Sequence, residues 1–150
     1  MANETRHVKQ AFDNRMNDQL AGSTAIDYEA TDFDTDAVTE WIRPRVFGYT
    51  PIAESGTQVG IRREAWTFSI DVFTRVGSGG ETAYRSAELV DLIKAAFDRI
   101  TLSVLNYSGD QAEEAQCYFG RAHVTPVATT KQGKYWLEQM NVTYEATLWA

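Results

Sequence analysis

Residues able to do chemistry are few in this 150-residue chain, and their spacing is unfavourable. Cys117 and His123 offer a thiol and an imidazole, the parts of a nucleophile and its base. Six residues apart on one extended strand, they stand roughly 20 Å from each other. Such a pair cannot hydrogen-bond, so a buried or half-buried thiol is expected at Cys117. Asp32, Asp34 and Asp36 have the alternate spacing that opens a calcium loop, but Ala37 stands where that loop turns on glycine. Arg43 occupies the position of its bidentate glutamate. A solvated acidic loop is expected instead. Val76, Gly77, Ser78, Gly79 and Gly80 lie between a strand pattern and a helix pattern, as phosphate loops do. Glu81 and Thr82 follow where a Walker loop needs lysine and then serine or threonine, and Thr82 takes the third glycine position of the dinucleotide fingerprint. The segment reads as a connector. His7 has no metal-binding partner within a helical turn and is expected to be exposed. With no nucleophile, base and orienting group at workable spacing, neither catalysis nor a cofactor is expected.

Basic residues cluster only at Arg43 with Arg45 and at Arg62 with Arg63. Beside Trp41 and Phe47 they have the parts of a single-strand binding surface, stacking rings and positive charge. The acidic background favours salt bridges across strands or to a neighbouring subunit. Trp41, Trp66, Trp136 and Trp149 are expected as core or interface anchors.

Periodicity supplies the elements that hold these residues. Val8, Phe12, Met16 and Leu20, spaced by four, predict an amphipathic helix capped by Asn3 or Thr5 and ended by Gly22 and Ser23. Residues 24–30 alternate as a half-buried strand. Residues 31–39 form a loop or turn. Residues 41–49 read as a second strand with Pro44 at an edge or bulge. Residues 51–60 form a surface loop of about ten residues, long enough to carry function. From 65 to 72 the even positions Trp66, Phe68, Ile70 and Val72 are apolar and the odd ones small or polar, a strand with one buried face. Residues 81–99 then switch to helical period through Leu89, Ile93, Ala96, Phe97 and Ile100. Strands follow at 101–107, 116–126 and 135–149, with turns at Gly109–Asp110 and Gly133. In the last strand Trp136, Met140, Val142, Tyr144, Ala146 and Leu148 face one way, and Gln139, Asn141, Thr143, Glu145 and Thr147 the other. This order predicts one α+β domain over 1–150, a mainly antiparallel sheet with two helices packed on one face. The second face, polar by alternation, is open to solvent or to another subunit.

Composition agrees with one globular domain. A 43% hydrophobic, 23% charged chain of this length can bury roughly two thirds of its unfolded surface. The single cysteine rules out an internal disulfide. The polar start, residues 1–6, and the lack of any run near 18 apolar residues predict neither export nor a membrane span. A net charge of −7 argues against gripping nucleic acid, which requires clustered Lys and Arg.

Taken in order, Trp41-Ile42-Arg43, Arg63, then Trp66 to Phe73, the Gly77 to Gly80 hinge, Ala87 to Ile93 and the closing strand begun by Trp136 resemble the tail terminator proteins of long-tailed bacteriophages. The resemblance runs from about residue 8 to 148. The acidic Asp32 to Asp36 stretch stands outside its pattern. It implies a virion protein, present in the host cytoplasm during assembly, that forms a homohexameric ring on the tail tube. Such a ring ends tube polymerisation and offers a surface to a head-completion or connector protein. DNA would pass through the lumen without specific binding, since six copies carry about −42 charges, a field that repels phosphates. Contacts to the tube protein or between subunits are expected at Arg43, Arg45, Asp71 and Arg75 on the strands. Glu54 and Gln58 are expected to contact the tube from the surface loop. Two alternatives stay open: a head-to-tail connector or tube subunit, and, more distantly, a small enzyme whose site sequence spacing does not reveal.

Overall fold

Val8, Phe12, Met16 and Leu20 form the buried stripe of helix α1 (Glu4–Leu20), each 1% exposed or less. A computed structural model describes residues 4–29, 31–51, 63–76, 84–132 and 135–150. After α1 come β1 (Ala25–Ile26), β2 (Glu40–Pro51), β3 (Arg63–Val76), α2 (Arg85–Phe97), β4 (Thr101–Leu105), β5 (Glu113–Phe119), β6 (His123–Gln132) and β7 (Tyr135–Trp149). The strands form one sheet in the order β1-β2-β3-β7-β5-β4, with β6 also paired to β7. Every pairing is antiparallel except the short parallel β1–β2 contact. The fold is α+β, with both helices on one face.

The alternation of β3 decides which face that is. Trp66, Phe68, Ile70 and Val72 are buried, and their register partners on β7 include Ala146, Tyr144 and Val142. Between sheet and helices lies an aromatic cluster. Phe12 meets Phe68 at 4.7 Å and Phe97 at 5.2 Å between ring centroids, and Phe119 meets Phe68 at 4.8 Å. Each such ring, fully buried, contributes roughly 1.5–3 kcal/mol through area alone.

Polar ties fix the helices. Arg15 on α1 donates from Nε and Nη2 to the Ala96 carbonyl at 3.1 and 2.9 Å, satisfying a C-terminal acceptor of α2. Arg85, at the start of α2, makes a two-pronged contact with Glu40 at 2.7 and 2.8 Å and donates to the Ser23 carbonyl. These bonds lock α2 to β2 and to the turn after α1. Among the described residues, no helix is long and apolar enough to cross a membrane.

Three expectations need correction. The strand expected over 24–30 is much shorter: among its described residues only Ala25 and Ile26 form β1, and Thr31 then bonds the Tyr28 carbonyl through both its amide and its hydroxyl to turn the chain. Residues 116–126 are not one strand but the end of β5 and the start of β6, broken at 120–122. There the Gly120 amide donates to the Glu145 carbonyl and the Ala122 amide to Asp98. The fifteen-residue β7 thus has β3 along one edge and shares its other edge between β5 and β6. The second helix covers Arg85–Phe97 rather than 81–99. It stops where Asp98 turns extended and Arg99 adopts a left-handed φ of 55°, and residues 81–83 lie outside the described residues. The glycine hinge at 77–80 and the Gly133 turn also lie outside them.

Pro44 sits in β2 past the two residues that β1 covers, where the outer side of the strand is open and a missing amide costs no ladder bond. A register shift follows between Val46 and Tyr49. Gly48 supplies the φ of 102° which that bulge requires and which a side chain would strain.

Candidate interface on the uncovered sheet face

Arg43, Asp71 and Arg75, three of the six interface residues expected from sequence, come together on the face that neither α1 nor α2 covers, with Arg45 at its edge. In register across three strands stand Arg43 on β2, Asp71 on β3 and Asn141 on β7. Arg43 Nη2 donates to Asp71 Oδ2 at 2.9 Å, and Asn141 Nδ2 donates to Asp71 Oδ1 at 2.9 Å and to Ser69 Oγ at 2.7 Å. Thr143 extends the line by donating to Asn141 Oδ1. Asp71 therefore accepts from both flanking strands, and its charge is matched inside the sheet. Beside this ladder the Trp41 and Phe73 rings stack at 4.9 Å. Arg43 lies over Phe73 at 4.9 Å and Arg75 over Trp41 at 5.7 Å, placing a cation against each ring.

The acidic segment closes one end of the face. The Arg75 amide donates to the Thr39 carbonyl and its Nη1 to the Val38 carbonyl, both at 2.9 Å, while Asp36 approaches Arg75 Nη2 at 3.6 Å. Phe33 packs against Trp41 at 6.2 Å. Asp34 caps the Thr35–Ala37 turn by accepting from the Asp36 amide at 3.0 Å, which gives this carboxylate a structural task. Among the described residues no group of three or more His, Cys, Asp or Glu side chains is arranged to hold a metal ion. Arg45 turns to the sheet edge, donating to the Pro44 carbonyl at 2.7 Å and the Asp27 carbonyl at 3.3 Å. Glu54 and Gln58 lie outside the described residues.

This arrangement speaks against gripping a polyanion. Arg43, Arg45 and Arg75 each face a carboxylate of their own chain, and Trp41 is only 5% exposed and not open for base stacking. Cys117 and His123 do not meet either. The thiol lies in the core, where burial pushes its pKa up to about 12, and His123 is exposed on β6.

His7 overturns its expectation. It is 1% exposed and sits between Glu114 and Ser108, with Nδ1 at 2.7 Å from Glu114 Oε2 and Nε2 at 2.9 Å from Ser108 Oγ. A carboxylate can only accept, so Nδ1 carries a proton, and in the neutral ring Nε2 accepts from the serine. Hydroxyl, imidazole and carboxylate in line are also the parts of a hydrolytic triad. The partners lie 101 and 107 positions from His7, so no local spacing could have revealed them. Catalysis would further need oxyanion donors and a substrate cleft. Of three open grooves formed by described residues, about 600, 480 and 320 Å³, none has His7 or Ser108 in its wall, and Glu114 lines the smallest. The trio pins the first turn of α1 to the β4–β5 hairpin, with Tyr107 edge-on to the imidazole.

No family model and no curated protein matches this chain. Solved structures do, 24 chains among them. One of these, a protein that carries no functional name, is 16% identical, covers 95% of this chain and 94% of its own, and superposes with a TM-score of 0.54. At that identity the likeness speaks for a shared fold alone.

Proposed function

We propose that this chain is a structural subunit of a long-tailed phage, closing into a homohexameric ring on the tail tube. There it ends tube growth and presents a docking surface to the head. The reading rests on the resemblance in residue order. The observation that carries it furthest is the sheet itself, whose β2 and β6 edges carry no further strand along most of their length among the described residues and whose second face neither helix covers. Open edges are a liability in a lone subunit, and head-to-tail contacts that close into a ring remove it. Self-neutralised arginines in an acidic subunit suit a lumen through which DNA slides.

Light scattering of the purified protein tests the assembly. Six copies of 16.9 kDa give a closed species of about 101 kDa at high concentration. Electron microscopy with tail tubes should then show a single ring at one tube end and no further growth. Filaments of the protein alone would identify a tube subunit instead, and a strict monomer at every concentration would remove the ring.

A hydrolytic reading has one observation in its favour, the line of Ser108, His7 and Glu114. Turnover of an activated ester that disappears in Ser108→Ala would establish it over the structural one.

A further inference from the structure

The two open sides of the sheet differ in a way that selects how copies meet. Among the described residues strand β6 pairs only with β7, and from His123 to Lys131 every residue is exposed, on both faces of the sheet. Val124, Val127 and Trp136 are 39, 52 and 47% exposed on this hairpin; Val124 and Trp136 continue the face that the helices cover elsewhere, and Val127 lies at the register shift. Ser86, at the start of α2, reaches Glu138, two residues short of Trp136. On the opposite side, β2 has no strand along its outer edge beyond Ile42 among the described residues, and Phe47 is 70% exposed there.

Charge separates the two sides. Residues 121–132 contain Arg121, His123 and Lys131 and no carboxylate, in a chain of net −7. Residues 27–40, which flank the β2 edge, contain Asp27, Glu29, Asp32, Asp34, Asp36 and Glu40; Arg45, Lys9, Arg75 and Arg85 of the same chain pair with four of these six, which leaves the edge a smaller acidic excess. Hairpin against hairpin would set positive charge on positive, and edge against edge negative on negative. Hairpin against acidic edge joins opposite charges.

We infer that the β6–β7 hairpin of one copy docks on the β2 edge and acidic segment of the next, a heterologous contact that repeats around an assembly. This rests on the ring reading and gives it a surface. Val124, Val127 and Trp136 form the apolar part of the contact, and Arg121 and Lys131 face the carboxylates. Pro44 and the irregularity between Pro126 and Ala128 interrupt the two backbone edges, so side chains rather than a merged ladder make the joint.

Two charge-reversed forms of the full chain test this: Arg121→Glu with Lys131→Glu, and Asp32→Lys with Asp36→Lys. All four side chains are exposed, and unchanged thermal melting checks that each form folds. Each alone should be monomeric at concentrations where the wild type is assembled, its self-association weakened at least about tenfold. Mixed in equal amounts they should assemble again, because each hairpin now faces an edge of opposite charge on the other form. An alternating ring also requires an even number of subunits. Val127→Asp, at an exposed bulge position, should weaken the wild-type assembly without touching either charged patch. Assembly of the single reversed forms at wild-type strength, or their failure to reassemble when mixed, would overturn the docking and leave the ring standing. A wild type that never assembles would remove both.

Discussion

The two faces of this sheet are built from the same strands and obey opposite rules. On the covered side Trp66, Phe68, Ile70 and Val72 meet helices, and stability comes from area removed from water. On the bare side the intervening Ser69, Asp71 and Phe73 are also largely hidden, yet their neighbours are Arg43, Asn141 and Trp41 in the same sheet. One face is closed by another layer, the other by lateral pairing within its own layer. A face of the second kind has its side-chain donors and charges already matched within the sheet, so a partner meets the outer surface of a satisfied polar layer.

Substitutions separate these rules, beginning with the harshest. Val72→Asp places a carboxylate in the helix-packed core and should cost more than about 4 kcal/mol, so the protein should lose its cooperative melt by circular dichroism. A folded Val72→Asp protein would mean the faces are reversed. His7→Ala leaves Glu114 and Ser108 without their shared partner and opens a small cavity. We expect a loss of about 2 kcal/mol in urea unfolding with the oligomeric state unchanged. Asp13, half-buried near Glu29, is raised to about 6 by burial first and by the Glu29 charge second. The folded state then binds its proton more tightly than the unfolded one, so stability falls as pH rises from about 4 to 6 and stays lower above that. Asp13→Asn should flatten that slope and raise stability at neutral pH by about 1 kcal/mol, after allowing for solvent screening. Asp71→Ala, on the face opposite the helices, leaves the Arg43 and Asn141 donors without this acceptor and should cost about 1 kcal/mol while leaving the melt cooperative. A collapse in that variant would show that the polar ladder holds the fold rather than decorating it.

Helix α1 and strand β3 were legible in the sequence because their apolar residues repeat at the period of a single element, which local sterics and burial enforce together. Three of the six expected interface residues fall on one face for the same reason: positions two apart on a strand point the same way. The break between β5 and β6 was not legible. It depends on which part of β7 each strand meets and on an amide of Ala122 finding Asp98, and neither leaves a local mark. The burial of His7 leaves no local mark because its surroundings are built from residues more than a hundred positions away. A polar residue on an otherwise ordinary helix gives no sign of whether such partners arrive.

The strand β7 runs without interruption from its exposed pairing with β6 into the core, where Tyr144 is held by Asp98 through a 2.6 Å bond from its hydroxyl. A load on the exposed part of β7 would therefore pass along the strand to the end of α2. A neighbour that tilts the hairpin would apply torque to the aromatic centre of the same subunit, and strain imposed on one copy would be passed to the next.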